Sequence, residues 1–197
     1  MRFSQSTRIL HLLMIVSVIF QLLSSLWMVT PEPGKIAGAG TNLFTLHIMF
    51  FGWLAFIVSA TYGMIQRSDP VAWARLMPWF NSERRGRVVA EFRKEFFGIF
   101  TGKLTPPEAR GSLSGAIHGA GFVLLMALTL TGAYAMLGVD YNDRMRDDVV
   151  AFRSMHELLA VFIWTYLGGH VFMVLYHILL GNRHILDIFA AIRINWK

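Results

Sequence analysis

Apolar runs unbroken by charge divide this chain into four long segments. Crossing the hydrocarbon core of a bilayer takes about 20 apolar residues in a helix. The first such segment, about 9 to 29, contains no Asp, Glu, Lys or Arg. The second, about 42 to 66, lies in the charge-free stretch between Lys35 and Arg67. The third, about 113 to 137, sits between Arg110 and Asp140, and the fourth, about 155 to 180, carries one acid, Glu157, at its entry. The pattern predicts an all-α fold, an integral membrane four-helix bundle forming one domain over 1–197. The first segment is too long for the apolar part of a signal peptide. Its exit, Trp27-Met28-Val29-Thr30, lacks a small-residue cleavage site, so the segment is expected to be retained.

Between spans two and three the period changes. Val88, Val89, Phe92, Phe96, Ile99 and Phe100 recur at three-to-four spacing, with Arg87, Glu91, Arg93, Lys94 and Glu95 between them. This predicts a basic amphipathic helix lying on the membrane surface, with Trp73 and Trp79 in the interfacial belt. A docking surface for a cytoplasmic partner is the alternative use of the same helix. No internal repeat, low-complexity tract or soluble domain interrupts the pattern.

Charge adds direction. Fourteen Lys and Arg fall in the N-terminal tail, the loop from Arg67 to Arg110 and the C-terminal tail, against four (Lys35, Arg144, Arg146, Arg153) in the other two loops. The positive-inside rule then puts both termini and the long loop in the cytoplasm of a bacterium, with the chain in the inner membrane and its short loops facing the periplasm. Only 15% of residues are charged, where a soluble domain carries about a quarter, and the net charge of +6 flanks apolar runs. Anionic lipid headgroups are therefore the expected partner of the basic residues, and nucleic acid is not. Cys is absent, which excludes disulfides, thiolate zinc sites, iron–sulfur clusters and covalent haem attachment.

Chemistry is concentrated in the histidines: His11, His47, His118, His156, His170, His177 and His184. Five lie inside the apolar spans and His156 stands at the start of span four. A lone intramembrane His commonly bonds a backbone carbonyl of a neighbouring helix, but six in one small bundle suggest a site. His156 and His170 are 14 residues apart on one helix. They are therefore separated by about 21 Å and point within roughly 40° of one direction. His47 enters span two at the level of His156, and His11 enters span one nearer the level of His170. Two pairs at two depths follow, His47 with His156 and His11 with His170. Bis-His pairs suit the two axial positions of low-spin haem and suit zinc badly, since zinc wants three or four ligands. Two haem b per chain are expected. Gly52, Gly119, Gly121, Gly168 and Gly169 near these histidines would let helices approach, as small residues do in any membrane bundle.

With these residues in view, the chain resembles the bacterial dihaem cytochrome b-561 family. That family includes the b-type membrane subunits of formate dehydrogenase and nickel–iron hydrogenase and the small superoxide oxidase. The resemblance covers all four spans. It rests on Arg8-Ile9-Leu10-His11-Leu12-Leu13, on Leu43-Phe44-Thr45-Leu46-His47, and above all on Ser154-Met155-His156-Glu157-Leu158-Leu159-Ala160 with His170 fourteen residues after His156. It implies haem-ligand roles for His11, His47, His156 and His170, and electron transfer between a partner subunit, or superoxide, and a quinone. One departure matters. The formate dehydrogenase type carries Asn-Ala-Gly-Gln where quinone binds at the entry to span three; this chain has Ser112-Leu113-Ser114-Gly115-Ala116-Ile117-His118. His118 is the local candidate for a quinone site and a rival ligand for the inner haem. His177 is either a polar anchor near the headgroups or a proton donor to quinone. His184 lies past the span and is expected to be ordinary. Arg8 and Arg153, each one turn outside a proposed ligand, are candidate propionate partners or ordinary boundary anchors.

Three functions compete. The first is a dihaem electron-transfer subunit linking a partner redox protein, or a periplasmic electron carrier, to the quinone pool of a respiratory chain. The second is a self-contained superoxide:quinone oxidoreductase. That would need a cationic outer funnel, whereas the outer loops hold Glu32, Asp140, Asp143, Asp147 and Asp148 against four basic residues. The third is a haem-free anchor or transporter, which leaves the matched depths of the histidines unexplained. No nucleotide motif, flavin site or hydrolytic triad is present, so chemistry on an organic substrate would belong to a partner.

Overall fold

The computed structural model describes residues 4–31, 36, 38–103, 105, 111–137, 147–181, 186, 188 and 189, and among them the chain is all-α with no strand. Four helical stretches are long and apolar enough to cross a membrane: Gln5–Ser24, Ala39–Ser68, Ser112–Leu137 and Asp147–Leu179. The first is α1. The second is a composite of α2 (Ala39–Thr45), a π-helical segment (Leu46–Gly52) and α3 (Trp53–Ser68). The third and fourth are α6 (Ser112–Leu137) and α7 (Asp147–Leu179). Their large apolar side chains mostly face outward, as Leu158, Val161, Phe162 and Phe172 of α7 do. In water this would be an unworkable surface; in hydrocarbon it is the solvated one. The chain is a multi-pass membrane protein.

Two span limits differ from the apolar runs. α1 stops at Ser24 although apolar residues continue to Val29. Leu26 N–H and Trp27 N–H donate to the carbonyls of Leu23 and Ser24, tightening the last turn, and Val29 N–H donates to Gly40 O. The end of the apolar run is thus used to join α1 to the next span. α7 begins at Asp147, two turns before the apolar run at 155. Asp147 and Asp148 in its first turn suit the positive end of the helix dipole, and the Tyr134 hydroxyl donates to the Asp148 carboxylate at 2.6 Å, linking the end of α6 to the start of α7.

The loop after span two is folded. Asp69 caps α4 (Pro70–Leu76) by accepting from Val71 N–H at 2.8 Å, and Pro70 fits the first turn, where its missing N–H is not needed. A single 3₁₀ turn, Pro78–Phe80, leads to α5 (Ser82–Thr101), which Asn81 caps through Arg84 N–H. The expected amphipathic helix is therefore present, two residues' worth of capping included. Trp73 lies under the Arg67 guanidinium at 5.9 Å, and Arg85 donates to Trp79 O at 2.8 Å.

The structure divides into two compact units, each drawing on all four spans. The first comprises 1–9, 62–123 and 166–197; the second comprises 10–61 and 124–165. In the first unit, α4 lies directly on α6: a Cβ at Gly119 would collide with Leu76 O, and one at Gly115 would stand 2.6 Å from Arg75 O. Glycine spaced by four on α6 is what lets backbone meet backbone there. The acids of α5 serve the same packing. Glu91 accepts from Ser112 N–H and Leu113 N–H (3.3 and 2.7 Å), capping α6, and Glu95 accepts from Thr105 N–H. Tyr176 of α7 donates to Ile99 O of α5 at 2.8 Å. In the second unit, Phe20 of α1 stacks on Phe51 of the π-helical segment with centroids 3.7 Å apart.

Candidate functional site

Among the described residues no three His, Asp or Glu side chains are grouped to hold a metal ion. In the second unit stand His47 and His156, both part-buried. In each, Nδ1 is the anchored ring atom. His156 Nδ1 lies 2.9 Å from Leu128 O of α6. A carbonyl can only accept, so Nδ1 carries the proton and Nε2 keeps its lone pair. Thr131 Oγ1, itself donating to Ala127 O, sits 3.4 Å from the same nitrogen. This placement depends on Gly132. A Cβ there would lie 2.8 Å from His156 Cε1 and 3.0 Å from Nδ1, so any other residue would push the ring away from Leu128 O.

His47 is held from the other side. Its Nδ1 is 2.8 Å from Ser24 Oγ. The Ser24 hydroxyl also reaches Gln21 O at 3.1 Å; with its hydrogen placed there, its lone pair can accept an Nδ1 proton from His47. Gln21 Nε2 donates to His47 O at 2.8 Å. His47 stands inside the π-helical segment, where i→i+5 bonding displaces carbonyls from their α-helical partners; such segments are frequent at functional sites. Ser24, Gln21, Leu128 and the π-helical segment were not singled out in the sequence. A polar residue on span one level with His47 is the signal that would have found the first two.

In the first unit, His170 of α7 and His118 of α6 are neighbours, with ring centroids 5.4 Å apart and planes at 85°. His118 Nδ1 lies 2.7 Å from Ser114 O, so its Nε2 also keeps a lone pair. Tyr166 stacks on His170 at 5.7 Å. His177 is buried near Glu95. His11, in the second turn of α1, belongs to the second unit, whereas His118 and His170 belong to the first. His184 and the outer-loop charges Glu32, Lys35, Asp140, Asp143, Arg144 and Arg146 lie outside the described residues.

The two arginines differ. Arg8 Nε is buried without a hydrogen-bond partner among the described residues, and an orphaned cationic donor suits a carboxylate ligand. Arg153 is exposed and donates to Glu157 at 3.1 Å, one turn along α7. The donor set fits haem b: imidazoles anchored through Nδ1, in apolar surroundings and without a thiol.

No curated protein and no solved structure matches the chain. The family model for prokaryotic cytochrome b561 matches residues 2–190, nearly the whole chain. With its spans and anchored histidines, this chain belongs to the prokaryotic cytochrome b561 family and is a membrane electron-transfer protein of the b-haem type.

Proposed function

We propose that the chain is a dihaem cytochrome that passes electrons between a partner redox protein or subunit and the quinone pool. The observation that carries this is how His47 and His156 are anchored: each Nδ1 has a hydrogen-bond partner within 2.9 Å, Ser24 Oγ for His47 and Leu128 O for His156, an arrangement that suits coordination of one iron through both Nε2 atoms. His170 supplies a ligand of the second site, and His11 is the partner that sequence depth suggests for it. His118, beside His170, is the rival for that place. Arg8 is available to a propionate, whereas Arg153 is already paired with Glu157. When bound, haem b supplies one-electron chemistry between ferric and ferrous iron.

The excess of Lys and Arg in the tails and the long loop supports an inner-membrane orientation with both termini and α5 cytoplasmic. Quinone is assigned to that side. His118 is exposed there, and His177 and Glu95 are groups able to exchange protons with water. The experiment is a reduced-minus-oxidised spectrum of the detergent-purified protein with a pyridine haemochrome count. About two low-spin b haems per chain are expected. His47→Ala and His156→Ala should each remove the same one. A colourless protein, or a single haem per chain, refutes the proposal.

A further inference from the structure

We propose that Gln21 and Ser24 of α1 clamp His47 at two points and thereby set the reduction potential of the haem that His47 holds. This rests on the dihaem assignment and adds two positioning residues to it. The first point of the clamp is on the ring. Ser24 Oγ stands 2.8 Å from Nδ1; when Nε2 holds the iron, Nδ1 carries the ring proton and the hydroxyl accepts it, its own hydrogen on Gln21 O, and at 3% exposure of Ser24 water does not compete. A buried acceptor on Nδ1–H gives the imidazole more anionic character and makes it a stronger donor at Nε2. A stronger axial donor favours ferric over ferrous iron, which lowers the potential.

The second point is on the backbone of the same residue. Gln21 Nε2 donates to His47 O at 2.8 Å, inside the π-helical segment. Gly52 leaves room for that bond: a Cβ there would stand 3.0 Å from His47 O and 3.4 Å from Gln21 Nε2. The two contacts are also tied to each other, because the Ser24 hydroxyl donates to Gln21 O. Held at ring and carbonyl from one helix, His47 has its ring plane fixed as well as its proton. His156 has a different arrangement, with a backbone carbonyl on Nδ1. The side-chain hydroxyl at Ser24 is therefore the point where a single substitution changes ligand basicity without touching either ligand.

Ser24→Ala, Ser24→Thr and Gln21→Leu are compared with wild type by potentiometric titration of both haems and by low-temperature EPR. Ser24→Ala should keep two haems. The oxidised-to-reduced ratio of one haem at fixed potential should fall about fivefold, equivalent to a rise of roughly 40 mV for a one-electron couple. The other haem should not move, and Ser24→Thr should restore the wild-type value. Gln21→Leu should change the low-spin g-values of that same haem. Unchanged potentials and g-values in all three variants, or equal shifts in both haems, overturn the clamp. If Ser24→Ala drops the haem, Ser24→Thr decides: retention at the wild-type potential supports the clamp, and loss overturns it. His47→Ala separates the two claims. If it spares both haems, the dihaem assignment falls and the clamp with it; if it removes one haem while Ser24→Ala shifts none, only the clamp falls.

Discussion

Under the dihaem proposal, adding one methyl group at Gly132 should loosen the haem assigned to His156. The new Cβ would stand 2.8 Å from His156 Cε1 and 3.0 Å from Nδ1. Carbon atoms rest at about 3.5–4.0 Å, so the ring would have to retreat by roughly 0.7–1 Å. The bond from Nδ1 to Leu128 O, now 2.9 Å, would then pass about 3.5 Å and cease to be a hydrogen bond. Crowding of this kind costs about 1–3 kcal/mol, and the lost bond about 1 kcal/mol more. Set against 1.4 kcal/mol per tenfold, a total of about 2–4 kcal/mol means that the haem proposed for His156 should bind roughly 30- to 700-fold more weakly. The assay is transfer of haem from the detergent-solubilised protein to excess apomyoglobin, followed optically. One haem of Gly132→Ala should leave fast and the other at the wild-type rate. Gly86→Ala is the control, since a Cβ there meets nothing within 4 Å. If Gly132→Ala releases both haems at wild-type rates, anchoring of a haem ligand through Leu128 O is refuted.

Three further outcomes follow from particular contacts. Glu91→Ala removes the cap from Ser112 and Leu113 of α6 and should cost about 1 kcal/mol, read as a fall of about 2–4 °C in Tm by thermal scanning. Tyr176→Phe releases Ile99 O and should speed amide hydrogen exchange at the C-terminal end of α5 about fivefold, while α1 is unaffected. His118→Ala and His177→Ala should each slow quinol turnover with both haems spectrally intact. Loss of a haem in His118→Ala, with His11→Ala sparing both, would instead make His118 the ligand opposite His170.

The four spans were legible because about 20 residues without charge leave a chain few options, and the amphipathic period between Val88 and Phe100 marked α5 as plainly. Helix limits were less legible. Asp147 and Arg153 look like loop residues by polarity, yet the first suits a helix start and the second pairs with Glu157 along the helix. Asp69-Pro70 is a helix-start signal for α4, but a seven-residue element leaves no trace in a pattern of apolar length. Spacing on α7 placed His156 and His170 on one side of the helix, and each does meet α6, at Leu128 and at His118. That His118 stands beside His170 depends on helix rotation, which hydropathy does not encode. The partners of Nδ1 were beyond reach for the same reason: a serine in an apolar span has no signature until the facing helix is known.

The π-helical segment also bears on how span two tolerates change in length. A π-turn in an otherwise α-helical span is equivalent to one inserted residue. Deleting any single residue between Leu46 and Gly52 would let the span close into a continuous α-helix. Because the wide turn already absorbs that residue, the faces on either side, including Ala55, Val58 and Ser59 of α3, would keep nearly their present directions. The same deletion in the α-helical part of the span would rotate one side by about 100° relative to the other. Span two thus has one place where its length can change by a residue without turning its faces, at the expense of the setting in which His47 O accepts from Gln21 Nε2.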